Sequence, residues 1–157
     1  MAASVNLGLT YDVHESYLWR PLGTRGLARS SFYVLMLLRH AQPEGLHLGD
    51  IGELLITSRA NVTGLVDHLE QKGYVRRVID SHDRRARLAK LTKKGEILID
   101  DVMPAQIGRS VAFFSNLTLN EVQQLIELLK KLRQSQVFAQ AGNEESAALV
   151  PVFTTED

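Results

Sequence analysis

Eight basic side chains fall between positions 76 and 94 (Arg76, Arg77, Arg84, Arg85, Arg87, Lys90, Lys93 and Lys94), against two acidic ones, Asp80 and Asp83. The chain holds 18 basic and 18 acidic residues, so the remainder carries ten and sixteen. Positive charge gathered into one stretch of a neutral chain suits a polyanion, because guanidinium and ammonium groups hold phosphate oxygens and release the counterions of a duplex. Just upstream, Arg59, Asn61 and Thr63 offer hydrogen-bonding groups of the kind that meet base edges. They are interleaved with Ala60 and Gly64, whose small side chains let a helix backbone approach a groove floor. Asp67 opposes this reading, since a carboxylate repels phosphate unless a nearby arginine neutralises it.

Other chemistries find little support. The five histidines, His14, His40, His47, His68 and His82, are scattered without metal-ligand spacing, and there is no cysteine to supply a thiolate. No metal and no cofactor are therefore expected. Ser81-His82-Asp83 contains the residue types of a catalytic triad, but neighbours in one turn cannot adopt the nucleophile-base-orienter geometry. With no phosphate-cradling or dinucleotide glycine fingerprint either, an enzyme is not expected.

The basic and polar residues need elements to position them. Val62, Leu65, Val66 and Leu69 recur at i, i+3, i+4 and i+7, which predicts a helix from about Arg59 to Lys72, with Thr57 or Ser58 as N-cap and Gly73 as stop. That helix turns Ala60, Thr63, Gly64 and Asp67 outward and places Arg59 and Asn61 on its first turn. Tyr74 to Ile79 and Arg87 to Leu91 have strand composition on either side of turn residues 80–83, which predicts a hairpin with Arg84 and Arg85 at its tip and Arg87 just inside. A short helix around Asp50 to Leu55 precedes the Arg59 helix, so the two form a helix-turn-helix. A helix from about Leu27 to His40 is expected to face Phe32, Leu35 and Met36 inward.

The ends are helical as well. Residues 1 to about 10 suggest a loose arm, followed by a short helix over Asp12 to Arg20 that ends near Pro21. Beyond Gly95 a long helix bends at Pro104. Thr118 and Glu121 make a capping box for a helix striped with Val122, Leu125, Ile126, Leu129 and Leu132, with Lys130, Lys131 and Arg133 near its end. The tail from Gly142 to Asp157 is acidic. At 157 residues, 45% apolar and 23% charged, the chain fits one globular domain. It has no apolar run of membrane-spanning length and no secretory signal, so a cytoplasmic protein without membrane contact is expected.

Two segments together resemble the winged helix-turn-helix of the MarR family of transcriptional regulators. They are Asn61 to Val75 and Asp80 to Gly95, the second holding an Asp-x-x-Asp-x-Arg turn that leads into Leu-Thr-x-x-Gly. The resemblance implies a mainly α fold with a small β-hairpin wing, in which 1–157 form a single MarR-like domain. Within it, 28–95 would be the DNA-binding lobe, 11–27 and 96–135 dimerisation helices, and 136–157 a tail. It implies that Ser58, Arg59, Ala60, Asn61, Thr63 and Gly64 open the recognition helix, and that Arg84, Arg85 and Arg87 belong to the wing. Arg85 would enter the minor groove with Asp83 supporting it. Ser81 stands where the family usually has proline, and Gly64 where it often has a longer side chain.

The terminal helices carry more apolar surface than the lobe needs, and in this family such helices join two copies. The resemblance therefore implies a homodimer on a near-palindromic operator in double-stranded DNA, acting as a repressor. It also implies a small aromatic or anionic effector, for which Trp19, Arg20, Phe32 and Tyr33 are the candidate contacts. A winged-helix module that binds protein rather than DNA is the alternative, and it would lack a steep salt dependence.

Overall fold

A computed structural model describes residues 1–80 and 86–134. In chain order the elements are α1 (Ala2–His14), a π-helical turn (Glu15–Trp19), α2 (Arg20–Gly23), α3 (Arg29–His40), β1 (Leu46–His47), α4 (Leu48–Leu54), α5 (Arg59–Gln71), β2 (Val75–Ile79), β3 (Arg87–Leu91), α6 (Lys93–Phe113) and α7 (Leu119–Arg133). The fold is mostly helical with a small antiparallel sheet, as the sequence predicts. Among the described residues the chain divides into two compact units, one holding Ser30–Asp101 and the other Met1–Arg29 with 102–134.

In the first unit, α4 and α5 are the helix-turn-helix, and β2 and β3 are the hairpin behind it. Ser58 caps α5 by accepting a hydrogen bond from the Asn61 backbone N–H, and Val62, Val66 and Leu69 are fully buried. Gly73, at φ 74°, ends the helix in the left-handed conformation that glycine adopts without steric cost. Tyr74 N–H then donates back to the Leu69 carbonyl at 2.9 Å, and the chain turns into β2.

The register pairs Val75 with Leu91, Arg77 with Ala89 and Ile79 with Arg87. A third strand, β1, was not expected. Leu46 pairs with Ala89 and His47 with Leu88, so these two residues extend the sheet immediately before α4 begins, and the order is β1-β3-β2. A two-residue strand has no periodicity of its own and exists only through its partner.

Helix α3 buries every residue from Ser31 to Leu38 except Met36, which is half-exposed, so its apolar face is wider than the expected Phe32-Leu35-Met36 stripe. Its C-terminal end is joined to α6 by Arg39, whose guanidinium donates to Asp100 at 2.8 Å, and by Gln42, which donates to Glu96 at 2.8 Å. At Gly95 a Cβ would lie 2.1 Å from the Tyr74 carbonyl oxygen. Only glycine allows α6 to start so close to the wing.

In the second unit two expectations are corrected. The N-terminal arm is helical from Ala2, and Pro21 does not end the helical run, which continues to Gly23. The wide turn Glu15–Trp19 resets the register, so Pro21 falls in the first turn of α2, where its missing N–H costs nothing. Pro104 lies inside α6, which continues as one helix to Phe113. The capping box of α7 is formed as the sequence predicts: Glu121 N–H donates to Thr118 Oγ1 at 3.3 Å, and Thr118 N–H donates to Glu121 Oε2 at 2.8 Å. None of the residues of α7 is buried. No described helix is long and apolar enough to cross a membrane.

Candidate nucleic-acid interface

Burial of Val62, Val66 and Leu69 leaves the opposite side of α5 in solvent. Ser58, Arg59, Ala60, Asn61, Thr63, Gly64 and Asp67 are all exposed, so the six sequence-predicted residues of the recognition helix form one surface. A Cβ on Gly64 would meet nothing within 4 Å, which marks the surface as open. Two of the polar groups are partly engaged within the helix. Thr63 Oγ1 donates to the Arg59 carbonyl at 3.0 Å, and Asn61 Nδ2 donates to Thr57 Oγ1 at a long 3.3 Å. The Arg59 side chain makes no ion pair with the described residues.

The basic stretch is more differentiated than its charge count suggests. Lys90 Nζ donates to the Pro43 carbonyl at 2.8 Å, Lys93 pairs with Glu96 at 3.0 Å, and Lys94 Nζ donates to the Lys72 carbonyl at 2.8 Å while standing 4.8 Å from the Tyr74 ring centroid. Arg77 is held by Glu70 and Asp67, at 2.5 and 2.7 Å. Lys90, Lys94 and Arg77 thus fasten separate segments of the lobe, while the Lys93 pair is local to α6. Arg76 and Arg87 are exposed and make no ion pair with the described residues, Arg87 at the start of β3 opposite Ile79. The wing-tip candidates Arg84, Arg85 and Asp83 lie outside the described residues, as do Ser81 and His82.

The Arg77 contacts also answer the objection raised by Asp67, whose carboxylate is neutralised within its own lobe. Glu70 is held below its ordinary pKa by the Arg77 backbone N–H first, and behind it by the Arg77 guanidinium, so it stays ionised and paired through the neutral range. Sequence reasoning counted Arg77 among the phosphate-facing cations. The signal that could have separated it is the pair of carboxylates at Asp67 and Glu70, one helical turn apart on the side of α5 next to β2.

The candidate effector contacts divide. Trp19 and Arg20 line a cavity of about 610 Å³ with Asp12, Glu15, Ser16, Gly23, Leu27, Ala28 and Arg29. Arg29 and Glu15 form an ion pair at 2.5 Å across this set. Phe32 and Tyr33 are buried core side chains of the other unit, their rings edge-to-face at 6.1 Å. Among the described residues no three His, Cys, Asp or Glu side chains converge as metal ligands.

Comparison with known proteins agrees with this geometry. Residues 25–86 match a model of the MarR family. The chain is 39% identical over 106 residues to the HTH-type transcriptional regulator YkoM of Bacillus subtilis, covering 68% of each chain. Among solved structures it resembles the MarR-family regulator Sco3205 of Streptomyces coelicolor in complex with DNA, with a TM-score of 0.77 at 21% identity, over 85% of this chain and 84% of that one. It also resembles CouR of Rhodococcus jostii bound to p-coumaroyl-CoA, with a TM-score of 0.68 at 27% identity, over 83% and 88%. A buried-backed helix with an open polar face, joined to a basic hairpin, is thus a winged helix-turn-helix, and the chain belongs to the MarR family of winged helix-turn-helix transcription regulators rather than to any class of enzyme.

Proposed function

We propose that the protein is a cytoplasmic homodimer that binds a near-palindromic operator in double-stranded DNA and represses transcription by occupying it. The observation that carries this reading is the exposed face of α5. Its N-terminal half offers Arg59, Asn61 and Thr63 between Ala60 and Gly64, so hydrogen-bonding groups alternate with gaps where the backbone can approach a major-groove floor. Arg84, Arg85 and Arg87 of the wing supply the adjoining contacts, Arg85 in the minor groove with Asp83 steadying it. Two such heads related by a two-fold axis call for half-sites about 10 bp apart.

An aromatic or anionic effector fits the cavity beside Trp19 and Arg20, where an indole and a guanidinium lie on consecutive residues. CouR, a similar protein, is known with p-coumaroyl-CoA bound. An effector that binds one dimer geometry more tightly than the other shifts the population away from the DNA-competent state.

The test is fluorescence anisotropy against a duplex selected from a random pool, at several salt concentrations. Binding should weaken steeply with salt, and Arg85→Ala should weaken it further and flatten the log-log slope by about one. Unchanged binding by that variant would remove the wing from the mechanism.

A further inference from the structure

Arg77 is the most heavily engaged cation among the described residues of the basic stretch, and its partners shown here all lie on α5. Nη1 meets Glu70 Oε2 at 2.5 Å, Nη2 meets Asp67 Oδ1 at 2.7 Å, and the Arg77 backbone N–H donates to the other Glu70 oxygen at 2.8 Å. Nη2 also reaches the Thr63 carbonyl at 3.4 Å. The residue sits opposite Ala89, fully buried in the neighbouring strand, so it emerges from the side of the sheet that packs against the lobe.

The chain itself joins wing to helix only through the turn at Lys72–Tyr74, at the far end of α5 from its DNA-reading turns. A pivot at that turn alone would let the start of the helix swing relative to the wing. The buried Val62, Val66 and Leu69 hold α5 in the lobe by non-directional apolar packing, and Arg77 adds a directed tie from the middle of α5, between Thr63 and Glu70, to β2. A planar guanidinium with fixed donor directions sets an angle as well as a distance, which a lysine would not.

We infer that Arg77 is a positioning residue for DNA recognition: through Asp67 and Glu70 it fixes the angle between recognition helix and wing, and it does not itself contact phosphate. The inference rests on the DNA-binding reading given above. It differs from a purely electrostatic account in sign. Removing a carboxylate beside the DNA surface should, on electrostatics alone, tighten binding to every duplex. If the carboxylate holds the reading angle, its removal lowers discrimination instead.

Anisotropy titrations would compare the wild-type chain with Arg77→Gln and Glu70→Gln, each checked for folding by circular dichroism. The probes are a duplex selected from a random pool by the wild type and a scrambled duplex of equal length, at four salt concentrations. Each variant should lose about tenfold in the ratio of selected to scrambled affinity, and the double variant should lose no more than the worse single one. The salt slope should stay at its wild-type value. A slope reduced by about one in Arg77→Gln would make Arg77 a phosphate contact and overturn the inference. So would undiminished discrimination in Glu70→Gln, which also decides the matter if Arg77→Gln does not fold. Absence of any duplex preference in the wild type would instead remove the DNA-binding reading, and the inference with it.

Discussion

Asn61, proposed to read a base edge, keeps its side-chain amide only weakly held. Its backbone N–H is committed to the Ser58 cap, but its amide reaches only Thr57, at 3.3 Å, in solvent. An amide so weakly held can exchange that partner for a base edge, where a well-formed pair contributes about 1–3 kcal/mol of discrimination. Asn61→Ala should therefore lower the preference for the selected duplex over a scrambled one by that amount. Its stability should change by less than about 0.5 kcal/mol, as for other exposed substitutions. Equal discrimination in the variant would take Asn61 out of the readout.

Ile56 is a second residue-scale case, concerning stability rather than contact. It lies in the turn between α4 and α5 at φ 50°, the only described non-glycine residue with positive φ, and it is half exposed at 49%. A β-branched side chain there carries strain of about 1–3 kcal/mol, whereas glycine adopts the conformation freely at an unfolded-state cost of about 0.5–1 kcal/mol. Ile56→Gly should raise stability by about 1 kcal/mol in urea unfolding. A lowered midpoint would show that the packing of the isoleucine outweighs its strain.

Among the elements, α1 and its π-helical continuation carry a titrating group in an apolar setting. The His14 ring stands edge-on to Phe113 at 5.2 Å and to Trp19 at 6.0 Å. Burial first, and the Arg29 guanidinium second, hold its pKa below the ordinary 6.5. Because the folded value is the lower one, protonation favours the unfolded chain. The stability contribution is complete above about pH 6.5 and is lost as pH falls from there through the folded value. Thermal unfolding between pH 7.5 and 5.5 should show this fall, and His14→Phe should show less of it than the wild type. Identical profiles would place the proton uptake at other histidines.

The same scale explains what could be read in advance. Helix α5, its cap to within the pair Thr57 and Ser58, its Gly73 stop and the Thr118–Glu121 box were legible because each is specified within a few residues of sequence. The helical arm from Ala2, the passage through Pro21 and the strand Leu46–His47 were not, because each depends on a register shift or a partner far along the chain. Helical spacing turned Ala60, Thr63 and Gly64 outward, and the family resemblance extended the candidate DNA face to Ser58, Arg59 and Asn61. The division of the basic stretch was not legible: Lys90, Lys94 and Arg77 are separated from Arg76 and Arg87 only by carbonyls and carboxylates that tertiary structure brings near.

Across the whole molecule, apolar exposure and basic charge are assigned to different units. Of the sixteen large hydrophobic residues exposed among those described, thirteen belong to the unit made of Met1–Arg29 and 102–134, and three (Ile56, Ile79 and Ile97) to the unit that holds the basic stretch. Helix α7 has an apolar stripe and buries none of it: Leu128 is 65% exposed, and Leu125 and Leu129 are only half-buried. Apolar exposure of this extent in one unit is uncommon in a monomeric protein, and the proposed second copy of the chain would cover it isologously. Leu125→Asp combined with Leu129→Asp places two carboxylates on that stripe, so if the proposed dimer forms there, light scattering should report dimers for the wild type and monomers for the variant. Such monomers retain the α5 face but engage one half-site at a time. Their affinity for a two-half-site duplex should fall toward that for a single half-site, since the second contact is no longer intramolecular. A persistent dimer would locate the interface on another face of the same unit, of which the exposed residues of α1 are the next to test.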